Sequence, residues 1–125
     1  MKKNVIFPGW IRGQKKDNLL KASDIFILPS YNEGMPMSIL DAMSYGLPII
    51  STNVGSIPMI VHHGINGYVH EPEDIKAIAK SVVKLIKDRE LNLQFSRASY
   101  DILKNSYSKS KHLELLKKLY DSLGD

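Results

Sequence analysis

The chain has 125 residues, of which 43% are hydrophobic and 24% charged, as is usual for one globular domain with a single core. No apolar run approaches the roughly 18 residues of a membrane span, and the opening MKKNVIFPGW lacks the apolar stretch of a signal peptide. The absence of cysteine excludes disulfides and thiolate metal sites. These features predict a cytoplasmic protein.

The net charge of +4 bears on the choice of partner. The lysines are spread along roughly the last 50 residues at helical spacing, whereas a nucleic-acid binder usually concentrates Lys and Arg on one face, often with interleaved aromatic residues. Solvated helix faces are the simplest interpretation, and no nucleic-acid partner is predicted. The alternative is an anionic partner, either a phosphate-bearing substrate or an acidic membrane surface, to which the full enzyme would attach peripherally.

Strands and helices alternate along the chain. Strands are predicted at residues 4–9, 24–30, 47–52 and 67–71. Helices are predicted at 15–22, 36–45, 55–64, from Pro72 onwards, near 89–105 and at 109–123. The alternation predicts an α/β fold, a parallel sheet of about four strands flanked by helices, in a partial Rossmann-like single domain over residues 1–125. Neither GxGxxG nor GxxxxGK[ST] occurs, which indicates a truncated domain that begins partway through this fold.

Local patterns predict finer features of these elements. The run 24–30 is continuously apolar, as in a strand buried on both faces. The helix at 55–64 has Ser56 as its predicted N-cap and Gly64 as its stop. The helix after Pro72 is amphipathic, with one stripe predicted to be buried and lysines outside it. The stripe is Ile75, Ile78, Ala79, Val82 and Ile86, and the lysines are Lys76, Lys80, Lys84 and Lys87.

The histidines do not predict a metal site. His62 and His63 are neighbours on a predicted helix and project about 100° apart, and no third ligand has suitable spacing. Both are interpreted as helix-end residues that interact with the C-terminal dipole. His70 is interpreted as an isolated surface residue.

The candidate site is the segment PSYNEGMPMSILDAMSYGLPIIS, residues 29–51. With Pro36 as the first helical residue, the next three backbone N–H groups have no partner within the helix. They belong to Met37, Ser38 and Ile39. Gly34 removes a side chain where the turn passes close to a ligand. Together these features predict an anion site at the end of a parallel strand.

Two acidic residues flank this predicted anion site. Asp41 follows Ser38 by three positions, and helical side chains lean toward the N-terminus, so its carboxylate tilts toward the bound group. There it can accept two hydrogen bonds from a vicinal diol such as a ribose. Glu33 can do the same for a sugar in front of the helix. The alternative is that Glu33 complements the helix dipole and Asp41 is an ordinary exposed residue.

The run PSYNEGMPMSILDAMSYGLPIISTNVGSIPMIVHHGINGYVHEPED resembles the donor-binding region of group 1 (family 4) glycosyltransferases. Their signature is roughly PSxxEG[FM][GP]xxxxEAMAxGxPVV, followed by GGxxE and DGxNG, and the matching residues run from about Val5 to Asp88. The resemblance implies the C-terminal domain of a GT-B enzyme. Such an enzyme transfers a hexosyl group from a nucleotide sugar, here a UDP-sugar, to a saccharide or lipid-linked acceptor in polysaccharide or glycolipid synthesis. It retains anomeric configuration and uses no metal or other cofactor.

The resemblance also implies roles for individual residues. Glu33 would be the catalytic residue and would contact hydroxyls of the donor sugar, and Asp41 would contact the ribose. The loop and helix start would hold sugar hydroxyls and the diphosphate, and a second turn would pack on the nucleotide base. The loop and helix residues are Gly34, Met35, Pro36, Met37 and Ser38, and those of the second turn are Gly9, Trp10 and Ile11. Trp10 is equally well interpreted as a core residue.

Three departures from the family pattern qualify these roles. Asp41 replaces a Glu, and Met59 stands where GGxxE has its acid. The family's diphosphate-neutralising Arg and Lys and its N-terminal acceptor-binding domain have no counterpart. We therefore expect the isolated chain to bind a nucleotide sugar at millimolar level or worse and to have no turnover. The alternatives are a non-catalytic sugar-nucleotide binding or regulatory module and an unrelated phosphate-binding α/β domain.

Overall fold

The computed structural model of the protein describes residues 13–29 and 37–106. Eight elements follow one another in this part of the chain. They are α1 (Gln14–Ala22), β1 (Phe26–Leu28), α2 (Met37–Ser44), β2 (Ile49–Thr52), α3 (Ile57–Ile60), β3 (Gly67–His70), α4 (Ile75–Lys87) and α5 (Arg89–Ser106). The strand predicted at 4–9 and the helix predicted at 109–123 lie outside the described residues.

The described strands form one parallel sheet in the order β1-β2-β3. Phe26 pairs with Ile49 across β1 and β2, and Ile50 pairs with Tyr68 across β2 and β3. Helices connect the strands, as right-handed crossovers between parallel strands require. The predicted α/β fold with a parallel sheet is confirmed, with three strands in the described residues.

β2 separates two hydrophobic clusters. Its side chains alternate between the faces of the sheet, so Ile49 and Ile50 point in opposite directions. Ile49 packs in a cluster with residues of α1, α2 and α3, and Ile50 packs with Leu85 of α4 and Phe95 of α5. Every residue of β2 is fully buried. β2 is therefore the centre of the domain.

β1 is less buried than its apolar sequence predicts. Phe26 and Leu28 are only partly buried, and Ile27 is 43% exposed. Among the described strands β1 is at the edge of the sheet, with β2 on one side only. The prediction of a strand buried on both faces is therefore wrong for β1.

The buried face of α4 is rotated from the predicted stripe. Leu85 and Ser81 are buried, at 1% and 7% exposure, whereas Ile75 and Ile86 are 73% and 66% exposed. Leu85 contacts Phe95 of α5, a partner that the periodicity of α4 alone does not specify. Apolar residues cover more of this helix than its neighbours can bury, so the predicted stripe is correct only at Ile78 and Val82, which pack against the core.

α3 is shorter than predicted. Ser56 occupies its N-cap position, but the side chain forms no capping hydrogen bond, and the helix ends at Ile60 with Val61 as C-cap. Gly64 does not terminate this helix. It lies in the turn that leads into β3, with a φ of 81°.

The buried side chain of Asn66 forms hydrogen bonds across this turn. It is fully buried; its Oδ1 accepts from the backbone N–H of His62 at 2.7 Å, and its Nδ2 donates to the carbonyl of Ile60 at 3.2 Å. Its own carbonyl accepts from the backbone N–H of Ile49 at 3.0 Å. Asn66 thus joins the end of α3 to β2 and satisfies polar groups that would otherwise be buried without partners.

Candidate functional site

The candidate site lies at the C-terminal ends of the parallel strands. All of these ends are on one side of the sheet, and α2 follows β1 there with Met37 as its first described residue. Ligands of open parallel α/β sheets bind beyond the C-terminal ends of the strands. The start of α2 is therefore positioned where a ligand is expected.

The sequence of α2 determines which of its residues face outward. Ile39, Leu40, Ala42 and Met43 are at most 1% exposed and hold the helix against the sheet. Ser38 is exposed, and the Asp41 side chain is 43% exposed. Residues three apart share a helix face, so Ser38 and Asp41 are together on the outer surface of the first two turns.

Asp41 has a cationic partner that the sequence did not reveal. Lys16 of α1 donates from its Nζ to Asp41 Oδ2 at 2.6 Å, across 25 residues of sequence. The hydrogen bond to Asp41, followed by the attraction of its charge, raises the pKa of Lys16 above its usual value. Because Lys16 and Asp41 are nearly half exposed, the pair stabilises the fold by no more than about 1 kcal/mol. Its consequence is local: it positions Asp41 and places a positive charge beside α2.

The strand ends beside the site are joined by hydrogen bonds. The Ser51 hydroxyl in β2 donates to the carbonyl of Leu28 in β1 at 2.6 Å. The backbone N–H of Asn53 donates to the carbonyl of His70 at 2.8 Å. These bonds fix the three strand ends relative to one another.

The structure describes only some of the predicted site residues. Met37, Ser38 and Asp41 are described and lie on α2. The remaining predicted residues lie outside the described part of the chain. They are Gly9, Trp10, Ile11, Glu33, Gly34, Met35 and Pro36.

Met59 occupies the position at which the family pattern has an acid. It lies on α3, which follows the C-terminal end of β2, and it is 68% exposed. A carboxylate at this position would be available to a ligand, whereas a thioether accepts hydrogen bonds only weakly.

His70 is not the isolated surface residue that the sequence predicts. It is partly buried, its Nε2 is 2.6 Å from Ser81 Oγ, and its ring centroid is 5.6 Å from that of His63. His63 Nδ1 in turn accepts from the backbone N–H of Val69 at 3.0 Å. Burial, and then the neighbouring His63, lower the pKa of His70, while Asp74 opposes the shift.

These histidines border a cavity of about 490 Å³ at the C-terminal ends of β2 and β3. No group of three or more His, Cys, Asp or Glu residues within 13–29 and 37–106 is arranged to hold a metal ion. His62 Nε2 lies 3.3 Å from the carbonyl of Met59 in the last turn of α3, as expected for a residue at a helix end.

Comparison with known proteins identifies the protein family of this chain. The family model of glycosyl transferases group 1 matches residues 1–102. A UDP-Gal:alpha-D-GlcNAc-diphosphoundecaprenol alpha-1,3-galactosyltransferase from Escherichia coli is 35% identical over 122 residues, which are 96% of this chain and 30% of that protein.

Two solved structures share the fold. Sucrose-phosphate synthase from Thermosynechococcus elongatus matches 97% of this chain and 30% of its own, with a TM-score of 0.82 and 21% identity. Anabaena HepE, solved in complex with UDP-glucose, matches 82% of this chain and 29% of its own, with a TM-score of 0.71 and 21% identity.

The chain belongs to the group 1 glycosyltransferases, and its neighbours have the GT-B architecture. This confirms the resemblance predicted from the sequence. The chain spans about a third of the length of the galactosyltransferase it matches. Among the described residues, no helix combines the length and the apolar content needed to cross a membrane.

Proposed function

We propose that this chain is the donor-binding, C-terminal part of a retaining glycosyltransferase that moves a hexosyl group from a UDP-sugar to a saccharide or lipid-linked acceptor. The observation that carries the proposal is the outer face of α2, where Ser38 and Asp41 adjoin the ligand-binding edge of the sheet inside the segment that matches the family. The UDP-Gal in the name of the E. coli relative and the UDP-glucose bound to HepE support the choice of donor.

The start of α2 would bind the diphosphate. Helix N-termini present backbone N–H groups and a partial positive charge to anions. Met37 and Ser38 supply the first of these amides in the described part of α2. Lys16 adds a full positive charge next to this helix. No metal ion is part of the proposed site.

Asp41 would bind the ribose. A carboxylate has about four lone-pair sites on two oxygens, and Lys16 contacts only Oδ2. Oδ1 has no hydrogen-bond partner among the described residues and can accept a ribose hydroxyl while the ion pair persists. In this way Lys16 would orient an acid that is one methylene shorter than the Glu of the family pattern. Glu33, outside the described residues, is proposed to contact hydroxyls of the donor sugar as the catalytic residue.

Binding by this chain alone is expected to be weak. A helix N-terminus contributes up to about 2 kcal/mol to anion binding, and each hydroxyl contact contributes roughly 0.5–1.5 kcal/mol. Millimolar affinity already requires about 4 kcal/mol. We therefore propose that the isolated chain binds its donor at millimolar level or worse, and that turnover requires an N-terminal acceptor-binding domain.

An NMR titration tests this function. UDP-glucose should shift the amide resonances of Met37 and Ser38 in the 125-residue chain, and Asp41→Ala should weaken binding about fivefold or more, as expected for the loss of one charge-assisted hydrogen bond. Asp101→Ala is the matched control, because Asp101 is an exposed acid on α5. Equal shifts with inorganic phosphate and with UDP-glucose would instead mean that the site binds only phosphate, and would contradict donor binding.

A non-catalytic sugar-nucleotide binding or regulatory module is the second candidate. It is favoured by Met59, an exposed apolar residue in place of an acid, and by the shortened Asp41. The two candidates differ in turnover. Mixing the chain with an acceptor-binding domain encoded upstream should produce sugar transfer if the first is correct, whereas donor binding without transfer would support the second.

A further inference from the structure

The outer face of α4 carries apolar side chains that nothing in the described structure covers. We call this set the α4 stripe: Ile75, Ala79, Val83 and Ile86. The three largest are 73%, 46% and 66% exposed for Ile75, Val83 and Ile86. The spacing of four, four and three residues aligns them along one side of the helix.

The stripe is a continuous surface. Isolated exposed apolar residues are common and need no explanation, whereas an aligned set marks an interaction surface. Ala79 and Val83 line one shallow apolar depression, and Ile86 borders a second cavity together with Leu93 of α5, which is 54% exposed. Exposed apolar side chains thus extend along α4 and reach the start of α5, where Arg89 and Asn92 also line the cavity.

Lysines lie directly beside the stripe. Successive residues are about 100° apart around an α-helix, so Lys76, Lys80 and Lys87 occupy the arc next to the stripe on its solvent side. Within residues 13–29 and 37–106, none of these three has a carboxylate within ion-pairing distance. We call them the α4 lysine row. Lys84 lies further around the helix and is 5.8 Å from the ring of Tyr68.

α4 itself contains no acidic residue, and the two acids directly next to its ends serve as helix caps. Asp74 accepts a hydrogen bond from the backbone N–H of Ala77 as the N-cap of α4. Asp88 does the same for the N–H of Leu91 at the start of α5. Both carboxylates are thus oriented toward helix N-termini, and the middle of the outer face of α4 remains positive.

We infer that α4 docks this domain onto an anionic lipid surface. A helix with an apolar stripe beside a row of lysines matches the boundary between lipid chains and negatively charged headgroups. A second copy of the chain would bring one lysine row against another. The segment 109–123 is also rich in lysine, with four lysines against two acids. Charge complementarity therefore favours an anionic membrane over either protein surface.

Vesicle sedimentation tests this inference with the 125-residue chain. It should bind vesicles containing about one third phosphatidylglycerol at least about tenfold more tightly than pure phosphatidylcholine. Ile75→Ser with Ile86→Ser should lower this binding about tenfold, because apolar contact is lost. Leu19→Ser with Ile65→Ser is the matched control, since both residues are exposed and lie elsewhere, and should change binding by less than about twofold.

The lysine row has its own matched pair of variants. Lys76→Glu with Lys80→Glu should abolish the preference for anionic vesicles. Lys21→Glu with Lys104→Glu changes the net charge by the same amount on exposed positions of α1 and α5, and should retain most of the preference. Equal losses in the two variants would mean that net charge alone causes the binding, and would overturn the inference.

A fluorescent label reports the contact directly. The chain has no cysteine, so Ile75→Cys and Ile65→Cys can each carry a single environment-sensitive dye. Anionic vesicles should shift the emission to the blue at position 75 only. The inference fails if both positions respond equally, if neither responds, or if the stripe instead proves to drive self-association in sedimentation velocity. It does not depend on the donor-site proposal, because vesicle binding needs no nucleotide.

Discussion

The ion pair between Lys16 and Asp41 contributes little to stability, but it affects the charge and the side-chain orientation at the start of α2. Their 2.6 Å ion pair links the first turn of α1 to the second turn of α2. Exposed ion pairs contribute little to folding. This one holds a carboxylate in one orientation, and Lys16 offsets the negative charge of Asp41 beside a proposed phosphate site.

The corresponding prediction concerns Lys16→Gln. We expect UDP affinity to fall about threefold to tenfold, because a positive charge near the phosphates is lost, while the free energy of unfolding changes by less than about 1 kcal/mol. NMR titration and urea unfolding measure these quantities. Lys15→Gln is the control, since Lys15 is exposed on the same helix turn. An equal fall in affinity for both variants would argue against a specific role for Lys16.

Gly67 is required by close packing of backbones. A Cβ added there would lie 1.8 Å from the carbonyl oxygen of Ile49, far inside van der Waals contact. β3 lies directly against β2 at this point, and Ile49 pairs with Gly67 in the ladder. β3 can therefore pair with β2 at this position only because residue 67 is a glycine.

Gly67→Ala should destabilise the domain by at least about 2 kcal/mol, because the backbone cannot move aside without breaking the ladder. Gly64→Ala is the matched control. A Cβ at Gly64 meets nothing within 4 Å, and only its φ of +81° is unfavourable, which costs about 1 kcal/mol. Chemical denaturation compares the two. If Gly64→Ala were the more damaging variant, backbone conformation rather than packing would dominate this turn.

At the scale of the element, α4 shows how an amphipathic helix is positioned by its neighbours. Its C-terminal half offers Leu85 and Ile86 in succession, and either could face the core. Leu85 is 1% exposed against Phe95 and Ile50, and Ile86 is 66% exposed. α5 packs against the side of α4 that carries Leu85, so the α4 stripe faces outward.

Two alanine variants check this orientation. Leu85→Ala should cost about 2–5 kcal/mol through lost burial and an unfilled cavity. Ile86→Ala should change stability by less than about 0.5 kcal/mol, since the side chain is largely solvated. Thermal and urea unfolding give both values. The opposite ranking would restore the stripe predicted from periodicity and contradict the observed packing.

At the scale of the whole molecule, the pKa of His70 links stability to pH. Burial keeps this pKa below the ordinary 6.5. An unfolded chain therefore binds a proton at His70 more readily than the folded one just below pH 6.5. Folding stability that is fully present above this pH should be lost as the pH falls through the interval between the two pKa values.

The measurement is the melting temperature of the domain between neutral pH and about pH 5. Part of its decline should vanish in His70→Gln, whose amide can still bond to Ser81 but cannot titrate. His63 and Asp74 also face His70 and remain in this variant. An unchanged decline in His70→Gln would mean that other groups cause the pH dependence.

The sequence predicts more of the fold than of the site. A continuous apolar run located β1, and helical periodicity located α4, because these patterns depend on residues close together in the chain. The motif around Asp41 identified the family. The strand count, the donor-site roles of Glu33 and Trp10, and the single-domain assignment over residues 1–125 stay predictions.

The alternation of strands and helices, the absence of cysteine and the family signature followed from the sequence by itself, since each depends on local order along the chain. Only the tertiary structure decided that Lys16 contacts Asp41 and that Ile75 and Ile86 face outward. It also decided that Asn66 and Gly67 contact Ile49 of β2. These contacts join residues of different elements, and their partners are set by how helices and strands pack in three dimensions.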